Sequence, residues 1–123
     1  MTTLTEGRHS AEYILSEAEG HRSRDNIKIA SGSGVVEPGA VLGKITASGK
    51  FVPHAPAAND GSQNAIAINY ARVDATAADV VAAATTRDSE VRAAALVLNA
   101  ATDTDPEKAA VYASLASVGI IVR

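Results

Sequence analysis

Hydrophobic and polar residues alternate over several short stretches of this chain, and the alternation predicts a protein built mainly of β-strands. The stretch N-I-K-I-A, residues 26–30, has the pattern of a short half-buried strand. Residues 64–73 contain A-I-A-I-N-Y-A-R-V, which is rich in residues that favour strands. The predicted strands are residues 26–30, 40–46, 50–54, 64–73, 79–85 and 120–122.

Turn signals separate these strands. Pro38-Gly39 predicts a turn, because proline presets φ at the first central position and glycine accepts positive φ at the second. Ser48-Gly49 predicts a second turn, which joins residues 40–46 to residues 50–54. Pro53 has no N–H to donate to a neighbouring strand, so its strand should lie at a sheet edge or end there.

Residues 90–98, E-V-R-A-A-A-L-V-L, fit both a helix and a strand. Their alanines favour a helix. Their valines and the preceding Arg87-Asp88-Ser89 turn allow a hairpin. The pattern alone leaves both alternatives open.

The clearest helix signal is Asp105-Pro106-Glu107. We expect Asp105 to be the N-cap and Pro106 to occupy the first helical position, where its missing N–H costs nothing. Gly119 can end the helix with positive φ. The apolar face of this helix is formed by Val111, Leu115 and Val118.

Residues 1–24 are mostly polar and carry charges of both signs, so we interpret them as a flexible N-terminal arm on a β-rich body of residues 25–123. The apolar run Tyr13, Ile14 and Leu15 interrupts the arm. Residues 12–19 are long enough for two helical turns, but isolated helices of that length are marginal in water. The simpler alternative is a frayed terminus without a role.

The composition points to one small domain with a thin core. The chain has 123 residues, 26 of them alanine, with one phenylalanine and no tryptophan. Alanine side chains remove little apolar area from water, and small domains bury a smaller share of their surface than large ones. We therefore expect the protein to oligomerise and share its core between subunits.

Charge and composition also narrow the functional classes. The absence of cysteine excludes disulfides and thiolate chemistry. A net charge of −3 gives no reason to expect a nucleic-acid partner. The sequence contains neither a signal-peptide pattern nor an apolar run of membrane-spanning length, so we expect a soluble protein made in the cytoplasm.

Three acidic residues, Asp103, Asp105 and Glu107, have the spacing of a metal-binding loop. A calcium loop needs further ligands and a glycine at its sixth position, whereas Pro106 and Lys108 interrupt this one. Helix capping explains Asp105 more simply, so we expect no metal here.

The histidines do not form a site either. His9, His21 and His54 lie far apart and none has a partner at zinc-ligand spacing, so we expect all three to be solvated. No nucleophile motif or phosphate-binding loop is present. We therefore expect no enzymatic activity and no cofactor.

Lys50 raises one alternative. It follows the Ser48-Gly49 turn, and modified lysines of biotinyl and lipoyl carrier domains lie at the tip of such hairpins. Those lysines have a methionine or acidic neighbour, which Lys50 lacks. A lysine that protects a sheet edge is the simpler interpretation.

Several stretches, in order, resemble the head decoration proteins of tailed phages and prophages, the lambda protein D type. E-Y-I-L-S-E-A-E-G-H-R-S-R-D, residues 12–25, is similar to the family's arm and its junction with the body. E-P-G-A-V-L-G-K-I-T, residues 37–46, resembles its first long hairpin strand, and P-A-A-N-D-G-S-Q, residues 56–63, its hairpin loop. The C-terminal helix followed by G-I-I-V-R, residues 119–123, resembles its closing strand.

The resemblance implies a capsid cement protein. Such a protein forms homotrimers at three-fold positions of the expanded head, binds the major capsid protein and stabilises the shell. It would be made in the host cytoplasm and reside on the capsid surface of the virion. A host-side binding module of unknown partner is the remaining alternative.

The resemblance also implies a fold and a site. The fold is mainly β, of the β-clip type, with one or two short helices, and it favours strand for much of residues 79–98. The arm orders on the capsid by adding to a capsid-protein strand. The implied partner-binding residues are Glu12, Tyr13, Ile14, Leu15, Ser16, Arg22 and Arg24.

Overall fold

The computed structural model describes residues 4–20 and 22–123 and shows a fold that is mainly β, as the alternation predicted. One α-helix lies near the C-terminus, and one short 3-10 turn spans Ala93–Ala95. The strands are β1 (Ile14–Glu17), β2 (Arg24–Ile29), β3 (Gly34–Val36), β4 (Val41–Lys44), β5 (Phe51–Pro53), β6 (Ala67–Asn69), β7 (Val73–Ala75), β8 (Val80–Thr85), β9 (Ser89–Val91) and β10 (Ile120–Val122), and the helix is α1 (Asp105–Ala116).

Five strands close into a barrel in the order β2-β5-β4-β6-β8. The longest ladder joins β2 to β8 in antiparallel register over six residue pairs. The barrel closes between β2 and β5, which meet in parallel at Ile29 and Phe51. Pro53 is the last residue of β5, so this strand ends at its proline, one of the two outcomes that the sequence allowed. The β-clip expectation stays a prediction.

The interior of the barrel combines small and larger aliphatic side chains. Five of the nine residues in its buried cluster are alanines, and of the six that lie on the barrel strands three are alanines and three are isoleucine or leucine. A barrel of so few strands is narrow, so larger side chains fit only beside small ones. These five alanines therefore have a role within one chain. The cluster consists of Ile27, Ile29, Val36, Ala40, Leu42, Ala67, Ala75, Ala82 and Ala84.

The larger apolar side chains form a second cluster outside the barrel. It lies between the barrel strands β4 and β6, helix α1 and a three-stranded sheet of order β1-β9-β10. In this sheet β1 pairs antiparallel with β9, and β10 pairs parallel with β9. The cluster consists of Tyr13, Val41, Ala65, Ile68, Val91, Leu96, Val111, Leu115 and Ile120.

The predicted turn at Pro38-Gly39 is confirmed. Gly39 has φ of 87°, and a Cβ built on it would lie 2.5 Å from the carbonyl oxygen of Ala95. Both the positive φ and this close backbone approach require glycine. The turn is further held by the N–H of Gly39, which donates to the carbonyl of Asn69 at 2.9 Å.

The prediction of one strand over residues 64–73 was wrong. The chain leaves β6 at Asn69 and starts β7 at Val73, which pairs with the unpredicted strand β3. The buried side-chain amide of Asn69 donates to the carbonyls of Val36 at 3.1 Å and Ala71 at 2.7 Å. These bonds stabilise the bend and tie it to the turn after β3.

Residues 90–98 adopt neither a long helix nor one long strand. Strand β9 ends at Val91, one 3-10 turn follows, and Val97 then bridges to Ala40 in parallel. Both Val91 and Leu96 are buried in the second cluster, and the short 3-10 turn between them lets the chain present both to it.

The helix α1 is confirmed, but its cap is not the predicted residue. Thr104 is the N-cap, and Asp105 and Pro106 are the first two helical residues. The carboxylate of Glu107 accepts from the N–H groups of Asp103 at 3.0 Å and Thr104 at 3.3 Å, as in a capping box. Gly119 ends the following turn with φ of 88°. No helix in the described part of the chain is long and apolar enough to cross a membrane.

We expect Gly43→Ala in strand β4 to destabilise the protein by about 1–3 kcal/mol, because the added methyl group would overlap the backbone of the loop after β5. A Cβ at Gly43 would lie 2.7 Å from the Cα of Ser62. Gly7→Ala is the matched control, since it would meet only the end of the Arg72 side chain, at 3.2 Å. Urea unfolding of both variants measures the difference, and equal stabilities would contradict the close approach.

Candidate functional site

The N-terminal residues divide into two parts with different environments. Residues 4–10 are exposed throughout, and Leu4 keeps 90% of its surface in solvent. From Tyr13 the chain enters the body and forms β1. The predicted arm of residues 1–24 therefore contains both an exposed stretch, which we call the N-terminal segment (residues 4–12), and a stretch packed into the fold.

The N-terminal segment is attached by a few surface contacts. Arg8 donates from Nη1 to the carbonyl of Ala95 at 2.7 Å, and the N–H of Ala11 donates to the carbonyl of Tyr70 at 3.0 Å. Arg8 also lies 3.7 Å from the carboxylate of Glu12. Exposed ion pairs of this kind contribute about 0–1 kcal/mol each, so a partner protein could replace these contacts at little cost.

Tyr13 is the point at which the chain becomes fixed. Its side chain is fully buried, and its hydroxyl shares a hydrogen bond of 2.7 Å with Oγ1 of Thr85 on barrel strand β8. Its carbonyl accepts from the N–H of Arg92 at 2.8 Å. Burial raises the pKa of the Tyr13 phenol well above its usual value. This residue thus joins the three-stranded sheet to the barrel.

Strand β1 contains a bulge that turns Leu15 outward. Ile14 pairs with Val91 and Ser16 pairs with Glu90, so Leu15 is the extra residue on the β1 side. Leu15 keeps 46% of its surface exposed, while Ile14 packs against the second cluster. Strand β1 lies at one edge of its sheet, with β9 on its inner side, and among residues 4–20 and 22–123 no strand pairs with its outer side.

Arg24 and Ser23 hold the connection from β1 to the barrel through Glu17, whereas Arg22 lies at the surface. Arg24 forms an ion pair with Glu17, and its guanidinium stacks 4.4 Å from the centre of the Tyr70 ring. Ser23 is buried and donates from Oγ to the same carboxylate at 2.8 Å. Arg22 is exposed and lies 3.5 Å from the carboxylate of Asp88.

The residues that the resemblance implied as partner-binding thus fall into two groups. Glu12, Leu15, Ser16 and Arg22 are exposed. Tyr13 is in the chain's own core, while Ile14 and Arg24 are half-buried against it. The possible helix over residues 12–19 is not formed. A polar stretch with one apolar run has the same sequence pattern whether that run packs on its own body or on a partner.

Lys50 does not have the geometry of a carrier lysine. It follows the turn at residues 46–49 instead of occupying its tip. Its Nζ lies 2.8 Å from the carboxylate of Asp79, at the start of β8. This ion pair is consistent with a structural lysine beside the barrel strands.

The histidines differ from the expectation in one case. His9 is exposed and contacts Glu6 at 2.6 Å, whereas His54 is buried, which makes the prediction of a solvated His54 wrong. His54 lies between β5 and the loop after it, with Nε2 bonded to the carbonyl of Gln63. His21 lies outside the described residues. Within residues 4–20 and 22–123, no three acidic or histidine side chains are grouped to hold a metal ion.

The comparison with protein families decides the identity of the chain. The model of the family bacteriophage lambda head decoration protein D matches residues 3–120. The chain belongs to this family. A search of curated individual proteins finds no significant match. The resemblance noted from the sequence is therefore confirmed over nearly the whole chain.

Membership of the head decoration family gives the general function. The family is structural rather than enzymatic, and its members decorate the heads of phages. The protein is accordingly a capsid-decoration protein of the virion, with the phage capsid as its partner. The N-terminal segment and the outer side of β1 are the candidate contact surface.

We expect Tyr13→Phe to lower the free energy of unfolding by about 1–2 kcal/mol at neutral pH, since Thr85 loses its buried partner. Above about pH 10 the unfolded phenol ionises while the folded one keeps its proton, so wild-type stability falls there. Phenylalanine cannot ionise, so the free energy of unfolding of the variant does not fall in this way. The free energies of unfolding of the wild type and the variant should therefore converge as the pH rises.

Urea unfolding between pH 7 and 11 measures both effects. Tyr112→Phe is the control, because the Tyr112 hydroxyl makes no hydrogen bond to the part of the chain that the structure describes. A Tyr13→Phe curve that runs parallel to the wild type through pH 10 would rule out the buried phenol as the cause.

Proposed function

We propose that the protein binds the major capsid protein as a homotrimer at three-fold positions of the expanded head and stabilises the shell. The observation that carries this proposal is the family match over residues 3–120. The distribution of exposed apolar residues supports it, because they occur both on the N-terminal segment and on the barrel.

The capsid-binding surface that we propose consists of the N-terminal segment and the outer side of β1. An extended capsid segment can pair with the outer edge of β1 at Ile14–Ser16, since main-chain hydrogen bonds give affinity and alternate side chains give selectivity. Leu15 and Ser16 are exposed on β1, and Glu12 and Arg22 are exposed on the segments before and after it. Tyr13, Ile14 and Arg24 have the supporting role of holding β1 in place.

Exposed aliphatic side chains would add to the backbone pairing. Leu4 and Leu15 are 90% and 46% exposed, and Ile121 on the same three-stranded sheet as Leu15 is 38% exposed. Burial of one such side chain is worth about 1.5–3 kcal/mol. The resulting affinity per subunit is modest, and a trimer multiplies it because three linked subunits bind one lattice together.

Two exposed valines provide candidate trimer contacts apart from the N-terminal segment. Val81 on barrel strand β8 and Val35 on β3, which pairs with β7, are 66% and 56% exposed. We propose that they are covered by neighbouring subunits. This argument is independent of the one from alanine content.

We expect deletion of residues 1–11 to preserve the fold and strongly weaken binding to empty expanded capsids, because it removes only surface contacts of the body. Deletion of residues 1–19 should in addition lower stability, because it removes Tyr13 and β1. Capsid co-sedimentation and circular dichroism measure the two effects. Full decoration by the shorter deletion would show that the N-terminal segment is not part of the binding surface.

We expect Leu15→Ser and Val81→Ser to separate capsid binding from trimer formation. Both replace an exposed aliphatic residue on a strand, so both should fold. Leu15→Ser should weaken capsid binding by about tenfold per site and leave the trimer intact. Val81→Ser should shift sedimentation equilibrium towards monomer. A wild-type protein that is monomeric at millimolar concentration would contradict the trimer proposal.

A further inference from the structure

Ala11, near the end of the N-terminal segment, has a backbone conformation that alanine rarely adopts. Its φ is 63°, in the left-handed region. An L-residue in this region brings its Cβ close to the following carbonyl oxygen, which costs free energy, whereas glycine has no Cβ and adopts this φ freely. Among residues 4–20 and 22–123, Asp88 is the only other non-glycine residue with positive φ, at 49°. Such strain persists only where surrounding contacts hold it.

The two strained residues are held differently. Asp88 is an aspartate, a residue type that tolerates left-handed backbone, and its carbonyl accepts from the N–H of Ala18 at 3.0 Å beside the three-stranded sheet. Ala11 is fixed on its C-terminal side, where its carbonyl accepts from the N–H of Ile14 at 3.1 Å. On its N-terminal side, residues 4–10 are exposed. The strain at Ala11 therefore depends on how firmly these exposed residues are attached.

Rotation about one bond connects the strain with the position of the segment. The bond between N and Cα of Ala11 sets φ, and rotation about it moves the N–H of Ala11 and residues 4–10 relative to β1. Within the described part of the chain, two hydrogen bonds join this moving part to the body. The N–H of Ala11 donates to the carbonyl of Tyr70 at 3.0 Å, and Nη1 of Arg8 donates to the carbonyl of Ala95 at 2.7 Å. A return of φ to negative values breaks both bonds and releases the strain.

We propose that Ala11 is a strained pivot between two states of the N-terminal segment. In the docked state, which the structure shows, φ of Ala11 is positive and the segment is bonded to Tyr70 and Ala95. In the released state φ is negative, both bonds are broken and residues 4–10 extend away from the body. Hydrogen bonds at a surface contribute little net free energy because water replaces them, so the strain at Ala11 keeps the two states close in free energy.

The consequence for decoration rests on the proposed function. A docked segment has to leave the body before its backbone and Leu4 can contact a capsid subunit. The strain at Ala11 lowers the cost of this step, so the pivot regulates how readily the segment becomes available to the capsid.

Hydrogen exchange of the amide at position 11 in the full-length protein measures the balance, because this N–H is bonded in the docked state and free in the released one. We expect Ala11→Gly to raise its protection factor by about three- to tenfold. Glycine removes the strain of the docked state, and its greater flexibility in the released state offsets part of this gain. Ala11→Val should abolish the protection, because β-branched residues are rarely found at positive φ. The amide of Ile14, on the fixed side, should keep its protection in both variants.

Ser10→Gly is the matched control. Ser10 is the exposed neighbour and its φ is not positive, so glycine adds flexibility there without relieving strain. The amide at position 11 should be no more protected in this variant than in the wild type. An Ala11→Gly amide that exchanges as fast as the wild type, or an equal gain of protection in Ser10→Gly, would overturn the pivot.

Binding to empty expanded capsids tests the regulatory consequence. Ala11→Gly should weaken binding by about two- to tenfold, because a more stable docked state leaves less of the released one. Equal binding of Ala11→Gly and wild type, despite the difference in protection, would overturn the regulatory role. Failure of the proposed function has a different signature: neither protein would bind capsids, while hydrogen exchange would still show the two states of the segment.

Discussion

The narrow interior of the five-stranded barrel is the constraint on which the rest of this structure depends. Side chains that point inward from five closely spaced strands have little room, so three of the six cluster residues on these strands are alanines and the larger ones are Ile27, Ile29 and Leu42. A core this small removes little apolar area from water. The barrel therefore needs a second cluster, and the larger residues gather outside it between strands β4 and β6, helix α1 and the three-stranded sheet.

The second cluster in turn depends on the N-terminal part of the chain. Tyr13 is its largest member, and the hydrogen bond to Thr85 connects it to the barrel. Strand β1 follows directly and completes the sheet over the cluster. Neighbouring residues in this part of the chain therefore have different environments. Tyr13 and β1 pack on the second cluster, while the N-terminal segment before them stays at the surface. The boundary between the exposed N-terminal segment and the core lies between Glu12 and Tyr13.

This arrangement suits a protein that attaches to a lattice without catalysis. In the proposed mode of attachment, a capsid segment pairs with a strand edge and a weak contact is repeated many times. The barrel strands close on one another, whereas β1 lies at the margin of the smaller sheet. The bulge at Leu15 adds an exposed aliphatic side chain beside that edge.

The sequence by itself determined the local elements and the family. The turn residues Pro38 and Gly39, the alternation in β2 and the start of α1 depend on interactions between near neighbours, so the local sequence predicts them. The ordered motifs along the chain also identified the decoration family before any fold was known. What only the tertiary structure decided are contacts between distant residues: the break after Asn69, the burial of His54 and the docking of Tyr13. Each of these three features depends on a partner far away in the sequence or on the space that packing leaves. The local alternation of polar and apolar residues does not predict such contacts.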